Sequence, residues 1–385
     1  SCYQILWSGN QSSSYLNMDG QEISDYPSAL KWLARLDETQ VKPGLERITQ
    51  LMAELGDPQQ QMRAIVVGGT NGKGSCCWML EDALCRAGIR VGCATSPHLH
   101  SVRERLRLDG NLIGQVDFAT LAGEVQRACR KMAEHPSYFE VLTAMTLLLF
   151  ARCRVEVAVL EVCLGGELDA MNIVDAEVAV LTTLALEHTD WLGSDLRAIA
   201  RTKAGIVRPQ TQVITGWEVE FQHYIPQHTN LTSGDSALEW ATLALERLGV
   251  VASVRETRPP GRRERAGNIL LDCAHNPHAL EWLLGRIQEP EVVLFGCLRD
   301  KPLPEMLALL PPSAELLACT PDSPRAYSAA EVITVVGKLE RNGRACDSIA
   351  TALERAGERP ALVTGSNYLV AEARKCLGLP GSEES

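Results

Sequence analysis

Between a β-branched run, Ala64–Val67, and a helical stretch, Cys76–Ala87, the chain reads Gly68-Gly69-Thr70-Asn71-Gly72-Lys73-Gly74-Ser75. Backbone N–H groups in such a turn converge on one point, and the following helix directs the positive end of its dipole there. Phosphate is the anion that suits this geometry, and Lys73 supplies a cation for β- and γ-phosphate oxygens. The general phosphate-loop pattern has Ser or Thr directly after the Lys. Here Gly74 intervenes before Ser75, so the loop is a variant. A plain glycine turn joining strand to helix is the competing reading; the context and the Lys position favour phosphate.

Three more stretches place polar residues at the ends of apolar runs. Ser96-Pro97-His98-Leu99 follows Val91–Ala94, with Arg103-Glu104-Arg105 close behind. Glu161 lies at the end of Val157–Val162 and precedes Leu164–Asn172. Glu187-His188-Thr189-Asp190 follows Ala179–Thr183. Ligands of open α/β sheets bind outside the carboxyl ends of the strands, where these residues fall. Carboxylate, hydroxyl and imidazole there suit Mg²⁺ on a nucleotide. Singly, His188 reads as a core histidine and Glu161 as a capping carboxylate; together, beside the glycine-rich loop, they read as a site. Lys203, late in a helix, reads by itself as a solvated lysine at a favourable helix end. In the second half, Leu271–Pro277 and Thr364-Gly365-Ser366 again put polar groups at strand ends, with Arg262 and Arg263 ahead of them. There, ordinary turn chemistry and a ligand site stand level.

The elements that position these residues alternate between strand and helix, the mark of a parallel α/β sheet. The strands are expected at Ala64–Val67, Val91–Ala94, Val157–Val162, Ala179–Thr183 and Val213–Thr215, then Ile269–Asp272, Val292–Phe295, Leu316–Ala318 and Ala361–Thr364. Residues 1–25 read as a loosely held polar arm, followed by helical spacing from Tyr26 to Leu55. Residues 217–236 are weakly patterned, and Arg255–Gly267 reads as a linker or cleft-side loop. The expected architecture is α/β: a phosphate-loop, mostly parallel sheet domain over residues 1–256, with an N-terminal arm, followed by a smaller Rossmann-like α/β domain over 257–385. A chain of 385 residues suits two domains. The formal net charge of −11 argues against nucleic acid or anionic membrane as the main partner. The longest apolar run, Val141–Ala151, stops at Arg152, short of the roughly 18 residues of a membrane span. Thirteen scattered cysteines without paired CxxC spacing read as reduced, packed thiols in the cytoplasm.

Seven motifs in order carry a family resemblance: Gly69–Ser75 (GTNGKGS), Ser96–Leu99 (SPHL), Arg103–Gly110 (RERLRLDG), Glu161–Asn172 (EVCLGGELDAMN), His188–Gly193 (HTDWLG), Lys203–Ile206 (KAGI) and Asp272–Pro277 (DCAHNP). The chain resembles folylpolyglutamate synthase and bifunctional dihydrofolate synthase, of the Mur ligase superfamily, from about Tyr26 to Leu377. The resemblance implies an ATP-dependent ligase that adds L-glutamate to a folate-type or pteroate-type carboxylate through an acyl phosphate, with two Mg²⁺ ions. It implies that Thr70, Asn71, Gly72, Lys73, Gly74 and Ser75 hold the phosphates, and that Ser96 and Glu161 bind the Mg²⁺ of ATP. Glu161, His188 and a carbamylated Lys203 would hold the second ion, which reverses the solvated reading of Lys203. Arg262, Asp272 and His275 would reach the nucleotide, His275 among the catalytic residues, and Ser366 would line the adenosine side. The expected partners are these small molecules, with no nucleic acid or membrane, and the expected state is a cytoplasmic monomer.

The chain departs from the family pattern in places. Glu167 stands where the family usually has Arg, Glu187 where it has Asp and Thr202 where it has Glu. Twenty residues, 217–236, separate Gly216 from the helix at Ala237, where family members carry several tens, and an HQxxNA stretch is not recognisable in His228–Ala237. Two other readings stay open at this point: a Mur-type amide ligase for a different acid, and a nucleotide-binding paralogue without catalysis.

Overall fold

Strand–helix alternation builds two sheets, in two compact units: residues 1–98 with 102–257, and residues 99–101 with 258–385. The structure is a computed structural model, and it describes residues 22–36, 43–187, 189–193, 195–226 and 230–382. The polar arm expected at the N-terminus lies outside the described residues as far as residue 21.

The first unit carries an eight-stranded sheet. Its strands are β1 (Arg63–Gly68), β2 (Val91–Ala94), β3 (Arg107–Leu108), β4 (Asn111–Leu112), β5 (Val157–Glu161), β6 (Val178–Leu181), β7 (Gln212–Thr215) and β8 (Leu231–Ser233). Their order is β4-β3-β2-β5-β1-β6-β7-β8. All neighbours are parallel except β2–β3 and β3–β4. Strands buried on both faces read as continuous apolar runs, and β2, β5 and β6 are buried at every residue. One face packs on helices Lys73–Arg86 and Ala237–Leu248, through Cys76, Leu80, Leu84, Ala241 and Leu245. The other packs on Tyr26–Ala34, Glu46–Glu54, Gln115–Cys129 and Tyr138–Arg152. The last of these is apolar all round because it is buried, and a Ser137–Glu140 capping box starts it. Among the described residues no helix is long and apolar enough to cross a membrane.

The second unit carries β9 (Glu264–Ala266), β10 (Ile269–Leu271), β11 (Val292–Phe295), β12 (Glu315–Ala318), β13 (Gly343–Ala345) and β14 (Ala361–Thr364). The order is β13-β12-β11-β14-β10-β9, parallel but for β9. Helices Pro277–Leu284, Leu303–Leu309 and Ala329–Lys338 cover one face, and Ile349–Ala356 and Asn367–Cys376 the other. That is a doubly wound, Rossmann-like arrangement.

The structure corrects the loop reading of Arg255–Gly267: Glu264–Ala266 is an edge strand that pairs with β10 across Gly267, whose φ is +61°. Charged side chains on an exposed edge hide a strand from apolar patterning. The β3–β4 hairpin escapes for a similar reason. It is two residues a side and turns on Asp109 and Gly110, with φ of +49° and +78°. The helix Gln115–Cys129 also went unexpected; Gly114 precedes it without a side-chain cap, and Gly123 sits inside it. The weakly patterned stretch 217–236 holds the short helix Val219–Gln222 and strand β8.

Arg107 fastens the hairpin to the helix after the phosphate loop. Its guanidinium donates to Glu81 Oε2 at 2.9 and 2.5 Å and lies 4.1 Å from the centroid of the Trp78 ring. Both partners are buried, with side-chain exposures of 6% and 4%. Removing one partner of a buried pair strands the other charge. Arg107→Met is therefore expected to lower the unfolding free energy by about 3–5 kcal/mol, read from denaturant melts. A loss below about 1 kcal/mol would contradict that role.

Candidate active site

Three of the neighbouring strands in the order β2-β5-β1-β6 carry at their carboxyl ends Ser96, Glu161 and the glycine-rich turn that sequence reasoning picked, while Lys203 comes from helix Leu196–Ala204. β1 runs into the glycine-rich turn. Gly69 has φ +123°, and a Cβ there would fall 2.0 Å from Thr182 Oγ1, at the end of β6. Gly72 has φ +91°, against the Trp240 ring. Only glycine fits these two points. The helix from Lys73 begins at Gly72 with no side-chain cap. Its first amides therefore keep the anion-binding character of a free helix N-terminus.

Hydrogen bonds from the end of β6 hold this turn. Thr70 N donates to Thr183 O at 2.8 Å, Asn71 N to Thr183 Oγ1 at 3.0 Å, and Ala185 N to Thr70 Oγ1 at 3.1 Å. Sequence reasoning gave Thr182 and Thr183 no role. Hydroxyls directly after an apolar strand, facing a glycine turn on the next strand, were the available signal.

Two lysines meet at the Gly69 carbonyl. Lys73 Nζ donates to Gly69 O and Thr70 O, each at 2.9 Å. Lys203 Nζ donates to the same Gly69 O at 2.9 Å and to Glu187 Oε1 at 2.7 Å. The solvated reading of Lys203 fails, since only 2% of the residue is exposed. Burial pushes its pKa down to about 8, with the Lys73 charge acting the same way and Glu187 opposing. The loop after Glu161 keeps Lys203 there: Glu167 N donates to Thr202 O at 2.9 Å, and a Cβ on Gly166 would press on Lys203 Cα at 2.9 Å. Asn172 ties that loop by donating to Glu167 O and Gly205 O. Glu167 itself is exposed.

Glu161, 4% exposed, accepts from Ser96 N at 2.9 Å and faces Gly74, where a Cβ would lie 3.5 Å from Oε2. The turn, Glu161, Ser96 and Lys203 are thus brought together. Asp169, to which sequence reasoning assigned no role, accepts from Cys163, Leu164 and Met171 N–H groups at 2.8–2.9 Å. Burial pushes its carboxyl above the ordinary value, against those donors and the Lys73 charge. His188 lies outside the described residues.

In the second unit, Asp272 accepts from Arg263 N at 2.9 Å and Ala274 N at 2.8 Å. Burial raises its pKa against the neighbouring Arg262 charge. His275 Nδ1 lies 2.9 Å from Cys273 O. Ser366 caps helix Asn367–Cys376 by accepting from Leu369 N at 3.1 Å. Gly365 N donates to Ala274 O at 3.0 Å, so the Asp272–His275 and Thr364–Ser366 segments are neighbours.

Among the described residues no group of three or more His, Cys, Asp or Glu is gathered for a metal. Ser96 and Glu161 beside a phosphate loop nevertheless fit Mg²⁺, which keeps several waters and takes one or two carboxylates with substrate phosphates. An ammonium at Lys203 does not fit a cation site; a carbamate oxygen there would.

Fold and site define a Mur-type ligase. The Mur ligase middle domain family matches residues 67–216, and the Mur ligase glutamate ligase domain family matches residues 261–366. The dihydrofolate synthase/folylpolyglutamate synthase of Escherichia coli strain K12 is 32% identical over 413 residues, with 93% of this chain and 96% of that protein covered. The E. coli FolC structure in complex with DHPP and ADP superposes with a TM-score of 0.85 at 31% identity, covering 93% of this chain and 99% of that one. A bifunctional folylpolyglutamate synthase/dihydrofolate synthase solved with Mn, AMPPNP and L-glutamate gives 0.82 at 29% identity, covering 94% and 100%. The chain belongs to the dihydrofolate synthase/folylpolyglutamate synthase family.

The crowding at Gly69 yields a direct test. Gly69→Ala forces a side chain into a left-handed backbone against Thr182. Strain of about 1–3 kcal/mol should displace the loop. ATP binding, by calorimetry, should weaken roughly five- to hundredfold, with circular dichroism unchanged. Unaltered affinity would remove this turn from the nucleotide site.

Proposed function

We propose that this protein joins L-glutamate to the carboxylate of a pteroate or folate compound at the expense of ATP, releasing ADP and phosphate. The observation that carries this reading is the convergence of the phosphate turn, Glu161 and Ser96, at the ends of three adjacent parallel strands, with Lys203 from helix Leu196–Ala204. Family membership supplies the acceptor class and the amino acid. A purely nucleotide-binding role would not call for a buried second lysine held by a carboxylate at the same turn.

A carboxylate is a poor acyl donor because an oxygen must leave. Its oxygen attacks the γ-phosphorus, ADP departs, and the acyl phosphate carries a good leaving group. The glutamate amine then attacks the acyl carbon; the amide forms, phosphate leaves and the amine gives up a proton. The residues of the chain hold the charges that move. The turn Thr70–Ser75, through the amides that follow Asn71, and the Lys73 ammonium bear on the phosphates, where charge gathers during transfer. In this proposal Ser96 and Glu161 hold the Mg²⁺ of ATP. Glu161, His188 and a carbamylated Lys203 hold a second ion, and Arg262, Asp272, His275 and Ser366 act on the nucleotide. Divalent ions there would supply charge neutralisation for phosphoryl transfer.

Dihydropteroate, dihydrofolate and tetrahydrofolate, each with glutamate, are expected to drive ADP release, and a UDP-muramoyl peptide is not. Lys73→Ala should cut that release by roughly 10²–10³-fold. Turnover only with the muramoyl peptide or an unrelated acid would move the protein to another Mur-type reaction.

The carbamate has its own readout. Lys203 is buried and crowded by a second cation, which favours the neutral amine that takes up CO₂. With carbon-13-labelled bicarbonate, the wild type should show a carbamate carbon resonance that Lys203→Arg lacks. A fully active wild type without that resonance would leave Lys203 as an ammonium paired with Glu187.

A further inference from the structure

Three residues of the SPHLHS segment, Leu99–Ser101, belong to the second unit, while His98 and Val102 on either side belong to the first. Leu99 packs at the edge of the second unit's core. Gly261, at φ +70°, leaves room for it: a Cβ there would meet Leu99 Cδ1 at 3.1 Å, Val370 Cγ1 at 3.0 Å and Cys273 Sγ at 2.9 Å. His100 Nε2 lies 2.6 Å from Arg374 Nη1. Arginine only donates, so that ring nitrogen accepts.

Arg374 is 2% exposed and held on every side. Its Nε donates to Glu264 Oε2 at 2.8 Å, and its Nη2 to Glu264 Oε1 at 3.3 Å and Pro380 O at 2.8 Å. Glu264 Oε2 also accepts from Gly261 N at 2.7 Å, and Gly261 O accepts from Cys273 N at 2.9 Å. One chain of bonds therefore runs from His100 through Arg374 and Glu264 to the turn before Arg262, and on to the Asp272–His275 segment.

We infer that Arg374 is a positioning residue for the nucleotide side of the site: clamped to Glu264, it fastens the Leu99–Ser101 strap, through His100, to the turn that carries Arg262. A buried guanidinium supplies a rigid fork that can serve a carboxylate, a carbonyl and an imidazole together, which an ammonium cannot. The inference rests on the assignment of Arg262, Asp272 and His275 to the nucleotide.

The test compares His100→Leu, which cannot accept, with His100→Gln, which can. Arg374→Met strands Glu264 and risks the fold, so the His100 pair decides. Amide exchange of residues 99–101 and 261–264 and the ATP Kd by calorimetry are measured on the full chain without acceptor. His100→Leu should speed exchange there roughly tenfold or more, as expected for loss of a charge-assisted bond. It should also raise the ATP Kd roughly three- to tenfold, with Tm nearly unchanged and His100→Gln close to wild type. Unchanged exchange, an unchanged Kd in His100→Leu, or equal losses in Leu and Gln variants would each overturn the positioning role. A wild type that turns over no pteroate or folate would fail the proposed function while leaving this comparison intact.

Discussion

A buried amine, Lys203, and a half-buried one, Lys73, share the carbonyl of Gly69, and the active-site end of the first unit is organised about that crowding. Lys73 and Lys203 approach from different elements, one from the helix after β1 and one from helix Leu196–Ala204. Like charges repel strongly in a water-poor setting; Glu187 offsets them in direct contact with Lys203, and Asp169 acts in the same sense. Such a point has a standing demand for negative charge. A polyphosphate would answer it from the side of the turn, and the proposed conversion of one amine to a carbamate would answer it from within. In the proposed reaction, the burial that pushes Lys203 toward neutrality would serve a site where phosphoryl groups arrive and leave.

The glycine turn is held by its neighbours more than by itself. Thr182 and Thr183 at the end of β6 hold its backbone, Trp240 backs Gly72, and the Asp169 loop braces the helix end that delivers Lys203. This is preorganisation: dipoles and charges fixed before the substrate comes, so that little reorganisation is needed when charge develops. The second unit repeats the design on a smaller sheet. Asp272 and Ser366 spend their oxygen atoms on backbone amides, which holds the segments at the ends of β10 and β14 in one shape.

Much of this was legible in the residues. β2, β11 and β14 fall at the residues their apolar runs predict, because a strand buried on both faces carries almost entirely apolar side chains. The phosphate turn was legible because its glycines and lysine have one good physical use between a strand and a helix. What escaped has a common cause, which is partnership across distance. Edge strand Glu264–Ala266 is charged, and only its pairing with β10 makes it a strand. Lys203 looks solvated by its place near a helix end; the chain gives no local sign that Gly166 and Glu187, far along it, bury the side chain. Asp169 matters for what its oxygens reach, and spacing along the chain does not encode that.

The account stands on transfer of the γ-phosphoryl group to the acceptor's own carboxylate. Oxygen-18 in that carboxylate follows the transfer directly. With labelled acceptor, ATP and glutamate, one labelled oxygen per turnover should appear in the released inorganic phosphate, because the bond broken in amide formation lies between the acyl carbon and that oxygen. Unlabelled phosphate with amide product, or label recovered in AMP, would contradict the account.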